Sequence, residues 1–133
     1  MDEQKQIEAF LDGAPHAVVG ASQNRAKYGN KVLRAYLQAK RTVYPVNPNA
    51  AEVEGLKAYP TLHDLPERVH GISVITPPNV TESVVIQAAE LGIQYVWLQP
   101  GAESNVAVGR AEQLGVNLIA NGPCVLVALR YHE

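Results

Sequence analysis

The segment that follows the first apolar run carries residues suited to binding phosphate. It contains Gly20, Ala21, Ser22, Arg25, Lys27, Tyr28 and Gly29. A glycine at the end of a strand lets the chain turn and lets a phosphate approach the backbone, and a following helix presents free N–H groups and the positive end of its dipole. Ser22 supplies a hydroxyl, and Arg25 and Lys27 supply positive charge. The pattern predicts a phosphate or diphosphate site, the alternative being that both cations are ordinary solvated loop residues.

The usual dinucleotide fingerprint is absent from this segment. The order after Val19 is Gly20-Ala21-Ser22-Gln23-Asn24-Arg25, which is not G-x-G-x-x-G, and the loop to Gly29 is longer than the NAD pattern allows. The next strand ends in Pro45-Val46-Asn47-Pro48-Asn49, where an NAD protein would carry Asp or Glu to hold the ribose hydroxyls. These features disfavour NAD as the ligand. Without the acidic residue, the site is more compatible with a phosphorylated adenosine than with NAD.

Nucleophilic and metal chemistry find little support in the chain. Cys124 is the single cysteine, so it forms no internal disulfide, and the sequence offers no convincing base to activate it. The spacing of the four histidines matches no metal motif, and we expect them at the surface or as caps: His16, His63, His70 and His132. We predict no catalytic residue and no metal site, with Cys124 as a structural thiol. Tyr28 is a candidate for a ligand-facing ring, whereas Trp97 is expected in the core.

A repeated alternation of strands and helices must position these residues. Apolar, β-rich runs predict strands at 16–20, 42–46, 71–76, 93–98 and 116–120, with a turn-rich stretch through 47–55. Helical spacing predicts helices over the first dozen residues, about 29–40, 80–91 and 104–114, and the tail 124–131 is mostly helix-compatible. Asn79 and Glu82 are spaced as a near capping box. Continuous apolar strands between helices indicate an α/β fold, an open doubly wound parallel sheet of about five strands with helices on both faces.

Five loops follow the carboxyl ends of these strands, where ligands of such sheets bind. They are rich in Gly, Pro, Asn and small residues and lie at 20–29, 46–49, 76–79, 99–102 and 121–124. Ordinary turn chemistry suffices to explain any one of them. The five together on one edge favour a ligand groove.

Length, composition and charge limit the classes of function. The chain has 133 residues, 47 % hydrophobic and 18 % charged, which predicts one domain over 1–133 with residues 1–13 as an N-terminal helix packed on it. The formal net charge of −2, with neither sign gathered into long blocks, disfavours a broad basic face for nucleic acid. The sequence has no signal-peptide pattern and no apolar run long enough to span a membrane. We therefore expect a cytoplasmic protein that binds neither nucleic acid nor membrane.

An ordered set of short motifs resembles a known family. They are Val18-Val19-Gly20-Ala21-Ser22, Lys27-Tyr28-Gly29, Tyr44-Pro45-Val46-Asn47-Pro48, Tyr59-Pro60-Thr61-Leu62, Thr76-Pro77-Pro78 and Trp97-Leu98-Gln99-Pro100-Gly101-Ala102. From about residue 14 to 125 the chain resembles the small stand-alone CoA-binding proteins, which are similar to the CoA-binding domain of the succinyl-CoA synthetase alpha subunit. The resemblance implies a Rossmann-like domain with coenzyme A or acyl-CoA as its ligand.

The resemblance also assigns the loops to parts of that ligand. It implies a phosphate site lined by Gly20, Ala21, Ser22, Lys27 and Gly29, an adenosine side formed by Val46, Asn47 and Pro48, and an opposite wall formed by Thr76, Pro77 and Pro78. Two departures stand out. Family members often carry a basic residue that could meet the 3′-phosphate where this chain has Asn49, unless Arg25, Lys27 or Lys57 compensates. They tend to have Asp-Arg-Cys where it has Gly122-Pro123-Cys124.

The resemblance favours binding over catalysis. The synthetase carries its phosphorylated histidine in a second domain, which we expect this chain to be too short to contain. We therefore expect a non-catalytic binding or regulatory module for CoA or acyl-CoA, with a protein partner or a homo-oligomer left open. The alternatives are a small enzyme dependent on NADP or another nucleotide, and an interaction domain with a vestigial groove. The sequence identifies neither the acyl group nor the role of Cys124.

Overall fold

The computed structural model describes residues 2–133 and contains a parallel sheet flanked by helices. In chain order its elements are α1 (Glu3–Asp12), β1 (His16–Val19), α2 (Tyr28–Gln38), β2 (Val43–Val46), β3 (Glu52–Val53), β4 (Leu56–Lys57), a 3₁₀ helix (Leu62–Asp64), β5 (Gly71–Val74), α3 (Pro78–Glu90), β6 (Tyr95–Leu98), α4 (Asn105–Leu114), β7 (Asn117–Ile119) and α5 (Val125–Ala128). Within the described residues no helix is both long and apolar enough to cross a membrane.

The five strands of the main sheet lie in the order β2-β1-β5-β6-β7, and every neighbouring pair is parallel. Val19, at the end of β1, pairs with Val46 of β2 on one side and with Val74 of β5 on the other. The chain steps from β1 to β2 and then returns to the opposite side of β1. Strand order therefore reverses between β1 and β5, which is where an open α/β sheet has its ligand crevice.

Alternating side chains of the strands build a core on each face of the sheet. Val18 packs with Phe10 of α1, Leu33 of α2 and Val125 of α5 on one face. On the other face, Ala17 and Val19 pack with β5, β6 and α3. Because both faces are covered, the strands are continuous apolar runs. The predicted α/β fold, with a parallel sheet of five strands and helices on both faces, is confirmed.

The predicted capping box at the start of α3 is wrong. The helix begins at Pro78, its N-cap is Pro77, and no side chain caps it. Proline has no N–H to satisfy and a φ already suited to the first helical position, so the helix starts earlier than Asn79. Glu82 lies beyond the first three helical positions and accepts a hydrogen bond from Ser104 Oγ at 3.2 Å.

The turn-rich stretch after β2 contains a small antiparallel hairpin that the sequence did not indicate. Strands β3 and β4 pair Glu52 with Lys57 and Val53 with Leu56. Glu54 and Gly55 form the turn with φ of 49° and 78°. Two-residue strands are too short to show a period of two, so the hydrophobic pattern carries no signal for them.

The expectation that the histidines lie at the surface or act as caps is wrong for His16. Its side chain is fully buried at the start of β1, where Nε2 donates to Phe10 O at 2.8 Å. Burial lowers the pKa of His16 to about 4. His70 Nε2 similarly donates to Ala9 O at 2.7 Å. Both imidazoles therefore attach α1 to the amino-terminal edge of the sheet, opposite to the ligand crevice.

Candidate functional site

An open groove of about 740 Å³ lies at the carboxyl edge of the sheet, between β1 and β5. The structure brings ten of the predicted site residues together around it: Gly20, Ala21, Ser22, Lys27, Tyr28, Gly29, Asn47, Pro48, Thr76 and Pro77. Ala26, Asn49 and Ile75 also line the groove and were not among the predicted contacts. Three of the five loops at this edge thus form one concave surface.

Three predicted site residues do not line this groove. The Arg25 side chain points to Glu54, with Nε 3.6 Å from the carboxylate. Val46 is the last residue of β2 and is buried in the core beneath the groove. Pro78 is an exposed residue at the first position of α3. The Val46 carbonyl accepts from the Gly20 N–H at 3.1 Å, so β2 supports the loop after β1 through its backbone.

Two glycines of the groove, Gly20 after β1 and Gly29 at the start of α2, are required by close backbone packing. Gly20 has a φ of +94°, and a Cβ there would lie 2.0 Å from the Ile75 carbonyl oxygen. A Cβ on Gly29 would lie 2.0 Å from the Gly20 carbonyl oxygen. The first turn of α2 therefore lies directly against the end of β1. The same lack of side chains leaves the backbone accessible from the groove.

Side chains outside the loop hold its carbonyl groups in place. Asn47 Nδ2 donates to Ala21 O at 2.8 Å, and Asn30 Nδ2 donates to Ser22 O at 2.8 Å. Arg34 supports the loop twice, donating to Asn30 Oδ1 at 2.7 Å and to the carbonyl of Arg25 at 2.9 Å. Because these carbonyls are bound from outside, the loop is held in shape before any ligand arrives.

The start of α2 provides the positive end of the groove. Its N-cap is Lys27, no side chain caps the helix, and the first turn has no acidic residue. The first N–H groups of an uncapped helix and its dipole attract anions. Lys27 lines the groove beside them. The exposed ring of Tyr28 lines it as well.

The hydroxyl of Ser22 and the amide of Asn47 also organise their own turns. Ser22 Oγ accepts from the Asn24 N–H at 3.0 Å, which leaves its hydroxyl proton to donate elsewhere. Asn47 Oδ1 accepts from the Asn49 N–H at 2.7 Å. Across the groove, Thr76 and Thr81 share a hydrogen bond of 2.7 Å between their hydroxyls, which ties this wall to α3.

Cys124 lies at the same edge of the sheet, outside the lining of the groove. It is the N-cap of α5, and its Sγ accepts from Gln99 Nε2 at 3.3 Å. Gln99 Oε1 accepts from the Val125 N–H at 2.7 Å. The thiol partner is therefore a neutral amide. Trp97 is fully buried and donates from Nε1 to Pro123 O at 3.0 Å, as its predicted place in the core requires.

Comparison with known proteins identifies the family of this chain. The sequence model of the CoA binding domain family matches residues 15–130, which is most of the chain. The chain belongs to the CoA-binding domain family. The groove of this CoA-binding domain is lined by residues that all lie within that match.

The relatives of this CoA-binding domain include both large and small proteins. ADP-forming acetate–CoA ligase II subunit alpha of Pyrococcus furiosus is 32 % identical over 93 residues, 68 % of this chain and 20 % of that protein. The chain thus spans about a fifth of that curated relative. A conserved hypothetical protein of Pyrococcus furiosus has 43 % identity and a TM-score of 0.81, over 85 % of this chain and 97 % of its own.

A larger enzyme contains the same fold. It is the dinucleotide-forming acetyl-coenzyme A synthetase 1 of Ca. Korarchaeum cryptofilum, in complex with phosphate and ADP. It has 28 % identity and a TM-score of 0.74, over 85 % of this chain and 27 % of that one.

Three residues that shape the site escaped the sequence analysis. Asn30, Arg34 and Glu54 line no part of the groove but fix the loop that does. Asn30 stands in the middle of an ordinary helical pattern, and Glu54 lies 24 residues further along the chain. The one local signal is a polar residue at a helix position that faces inward, since Asn30 is fully buried.

Proposed function

We propose that this chain is a single CoA-binding domain that binds coenzyme A or acyl-CoA in the β1/β5 groove as a non-catalytic binding or regulatory module. The observation that carries the proposal is the uncapped start of α2 beside Lys27. It lies where the strand order reverses, in a chain that belongs to the CoA-binding domain family. The diphosphate would lie over the loop from Gly20 to Gly29, where helix N–H groups and one cation meet it.

The remaining walls suit the other parts of the ligand. The adenosine would lie on the side of Asn47 and Pro48, and Thr76 and Pro77 would form the opposite wall. Apolar and small residues make up much of this surface, as is common in cofactor sites with a few polar groups that fix orientation. Ser22 would add one hydroxyl donor to the phosphates.

The surroundings of the Cys124 thiol support a role in binding rather than in catalysis. Cys124 Sγ meets the amide of Gln99, which cannot take a proton from it. Across residues 2–133, no cluster of three or more His, Cys, Asp or Glu side chains has a geometry suited to a metal ion. We further propose a cytoplasmic location, in keeping with a lone cysteine, and a role in which a protein partner or a second copy reads the bound state.

A thermal-shift series tests the proposal. Coenzyme A, acetyl-CoA, dephospho-CoA, ADP, NAD and NADP would be compared at matched concentration. A ligand at about one hundred times its Kd adds about 2.7 kcal/mol to the free energy of unfolding. We expect CoA species to raise the melting temperature and NAD and NADP to leave it unchanged. A shift with NADP and none with any CoA species would overturn the proposal in favour of a nucleotide-dependent enzyme.

A pair of lysine variants tests whether the CoA-induced rise in melting temperature depends on the groove. Lys27→Ala removes the cation of the groove, and Lys5→Ala removes an exposed lysine of α1 far from it. We expect the CoA shift to shrink in Lys27→Ala and to persist in Lys5→Ala. An equal shift in both variants would contradict the placement of the diphosphate.

A further inference from the structure

The charges around the groove are few and uneven. Among the lining residues, Lys27 is the one that carries a formal charge, and it stands at the α2 end. The wall formed after β2 consists of Asn47, Pro48 and Asn49. Neutral amides donate hydrogen bonds to a phosphate but do not neutralise its charge. One end of the groove therefore suits a diphosphate, and the other end provides no cation for a further phosphate.

The hairpin next to this neutral wall carries two glutamates, Glu52 and Glu54, and one lysine, Lys57. Its Glu52 and Glu54 are packed against the phosphate loop, because Gln23 Nε2 donates to Glu52 O at 2.8 Å and Asn30 Nδ2 donates to Glu54 Oε2 at 3.1 Å. Asn30 is fully buried, so its bond fixes the Glu54 carboxylate at the edge of the loop. This carboxylate lies beside the loop, outside the lining of the groove, and adds no positive charge to this side.

Two cations near this neutral wall, Arg25 and Lys57, are already engaged. Arg25 Nε lies 3.6 Å from the Glu54 carboxylate, so the pair is neutral when taken together. Lys57 Nζ lies 5.3 Å from the centre of the Tyr59 ring and belongs to a separate cleft, which includes Tyr44. Neither side chain lines the groove, so neither compensates for the neutral Asn49.

We propose that the groove binds CoA without selecting for its 3′-phosphate, so that dephospho-CoA binds as tightly as CoA. The inference rests on the proposed function and narrows its ligand class. Asn49 and Glu54 set this specificity: Asn49 leaves the wall uncharged, and Glu54 holds both the loop and Arg25.

Titration calorimetry of the full chain with CoA and with dephospho-CoA tests the inference. We expect Kd values for the two ligands to agree within about threefold, because the additional phosphate gains no cation. CoA binding more than about tenfold tighter, equal to about 1.4 kcal/mol, would overturn the inference and leave the proposed function standing. Absence of binding by either ligand would overturn both.

Two variants should create the missing selectivity. Asn49→Lys adds a cation to the neutral wall, and Glu54→Gln removes the carboxylate while its amide oxygen still accepts from Asn30. We expect each to raise the preference for CoA over dephospho-CoA at least about fivefold. Gln113→Lys and Glu90→Gln make the same charge changes at exposed positions of α4 and α3 and should leave the preference unchanged. An unchanged preference in both test variants would contradict the electrostatic basis.

Discussion

At the scale of single residues, Gly20 serves the fold as well as the groove. Its φ of +94° and the 2.0 Å approach of a Cβ to Ile75 O mean that any side chain displaces the end of β1 from the loop after β5. A variant such as Gly20→Val would therefore lose ligand binding by distorting the fold. Side chains that line the groove without supporting it, such as Lys27, make cleaner tests.

We predict that Gly20→Ala lowers the free energy of unfolding by about 3 kcal/mol, because it combines a left-handed backbone with a backbone clash. Urea denaturation measures the change. Gly109→Ala is the matched control, since Gly109 lies within α4 and a Cβ there meets nothing within 4 Å. That control should stabilise the protein by up to about 1 kcal/mol. Equal stability of Gly20→Ala and wild type would contradict the packing described here.

The buried His16 predicts a dependence of stability on pH. Its pKa is lowered to about 4, chiefly by burial, so the folded state binds fewer protons than the unfolded state between pH 6.5 and about 4. Stability therefore falls as the pH falls through this window. Relative to His16→Gln, wild type should lose about 3 kcal/mol between pH 7 and pH 4. Denaturant titrations at each pH measure the difference, and parallel pH curves for the two proteins would refute the assignment.

At the scale of elements, α2 is the helix whose start we propose as the anion site. Ser104 caps α4 by accepting from the Ala107 N–H at 3.0 Å, and Asp2 caps α1 by accepting from the Lys5 N–H at 2.8 Å. The N-cap of α2 is Lys27, which accepts no such bond with its side chain. An uncapped helix start forgoes stability, and an anionic ligand would supply the missing acceptors.

Lys27→Asp should separate stability from binding. A carboxylate at the N-cap accepts from the first N–H groups and faces the positive end of the dipole, so we predict a gain of about 1 kcal/mol in the free energy of unfolding. The same carboxylate stands where the diphosphate would bind, so CoA affinity should fall at least about tenfold. Lys27→Ala removes the charge without adding a cap and should lose affinity without gaining stability. A destabilised Lys27→Asp that retains wild-type affinity would refute this account of α2.

The sequence predicts those features that depend on neighbouring residues and misses those that depend on contacts between distant parts of the chain. Buried strands such as β1 and β5 are mostly apolar runs, and Gly20, Lys27 and Gly29 follow β1 within ten residues, so both features are visible in the sequence pattern. The contact between Asn30 and Glu54 depends on a hairpin of two-residue strands that folds back on the loop. No local sequence pattern predicts such a long-range contact, so the role of Asn30 and Glu54 could be found only from the structure.

At the scale of the whole molecule, the order β2-β1-β5-β6-β7 determines where the site lies. Reversal beside β1 opens the sheet edge between two loops, and the two histidines that attach α1 lie at the other end of the strands. Because His16 lies far from the groove, we expect its protonation to change the free energy of unfolding without directly affecting the groove. The fold recurs as nearly all of a small Pyrococcus furiosus protein and as 27 % of a larger synthetase.

The most direct test of the central claim is an NMR titration of ¹⁵N-labelled protein with coenzyme A. We predict that amide signals change in 20–29, 47–49 and 75–77, the segments around the β1/β5 groove, with Gly20 and Gly29 among the strongest. Signals at the opposite end of the sheet, beside Arg68 and Gly92, should stay unchanged. If saturating CoA changes no amide signal, or changes only signals at that opposite end, the assignment of the groove as the CoA site is contradicted.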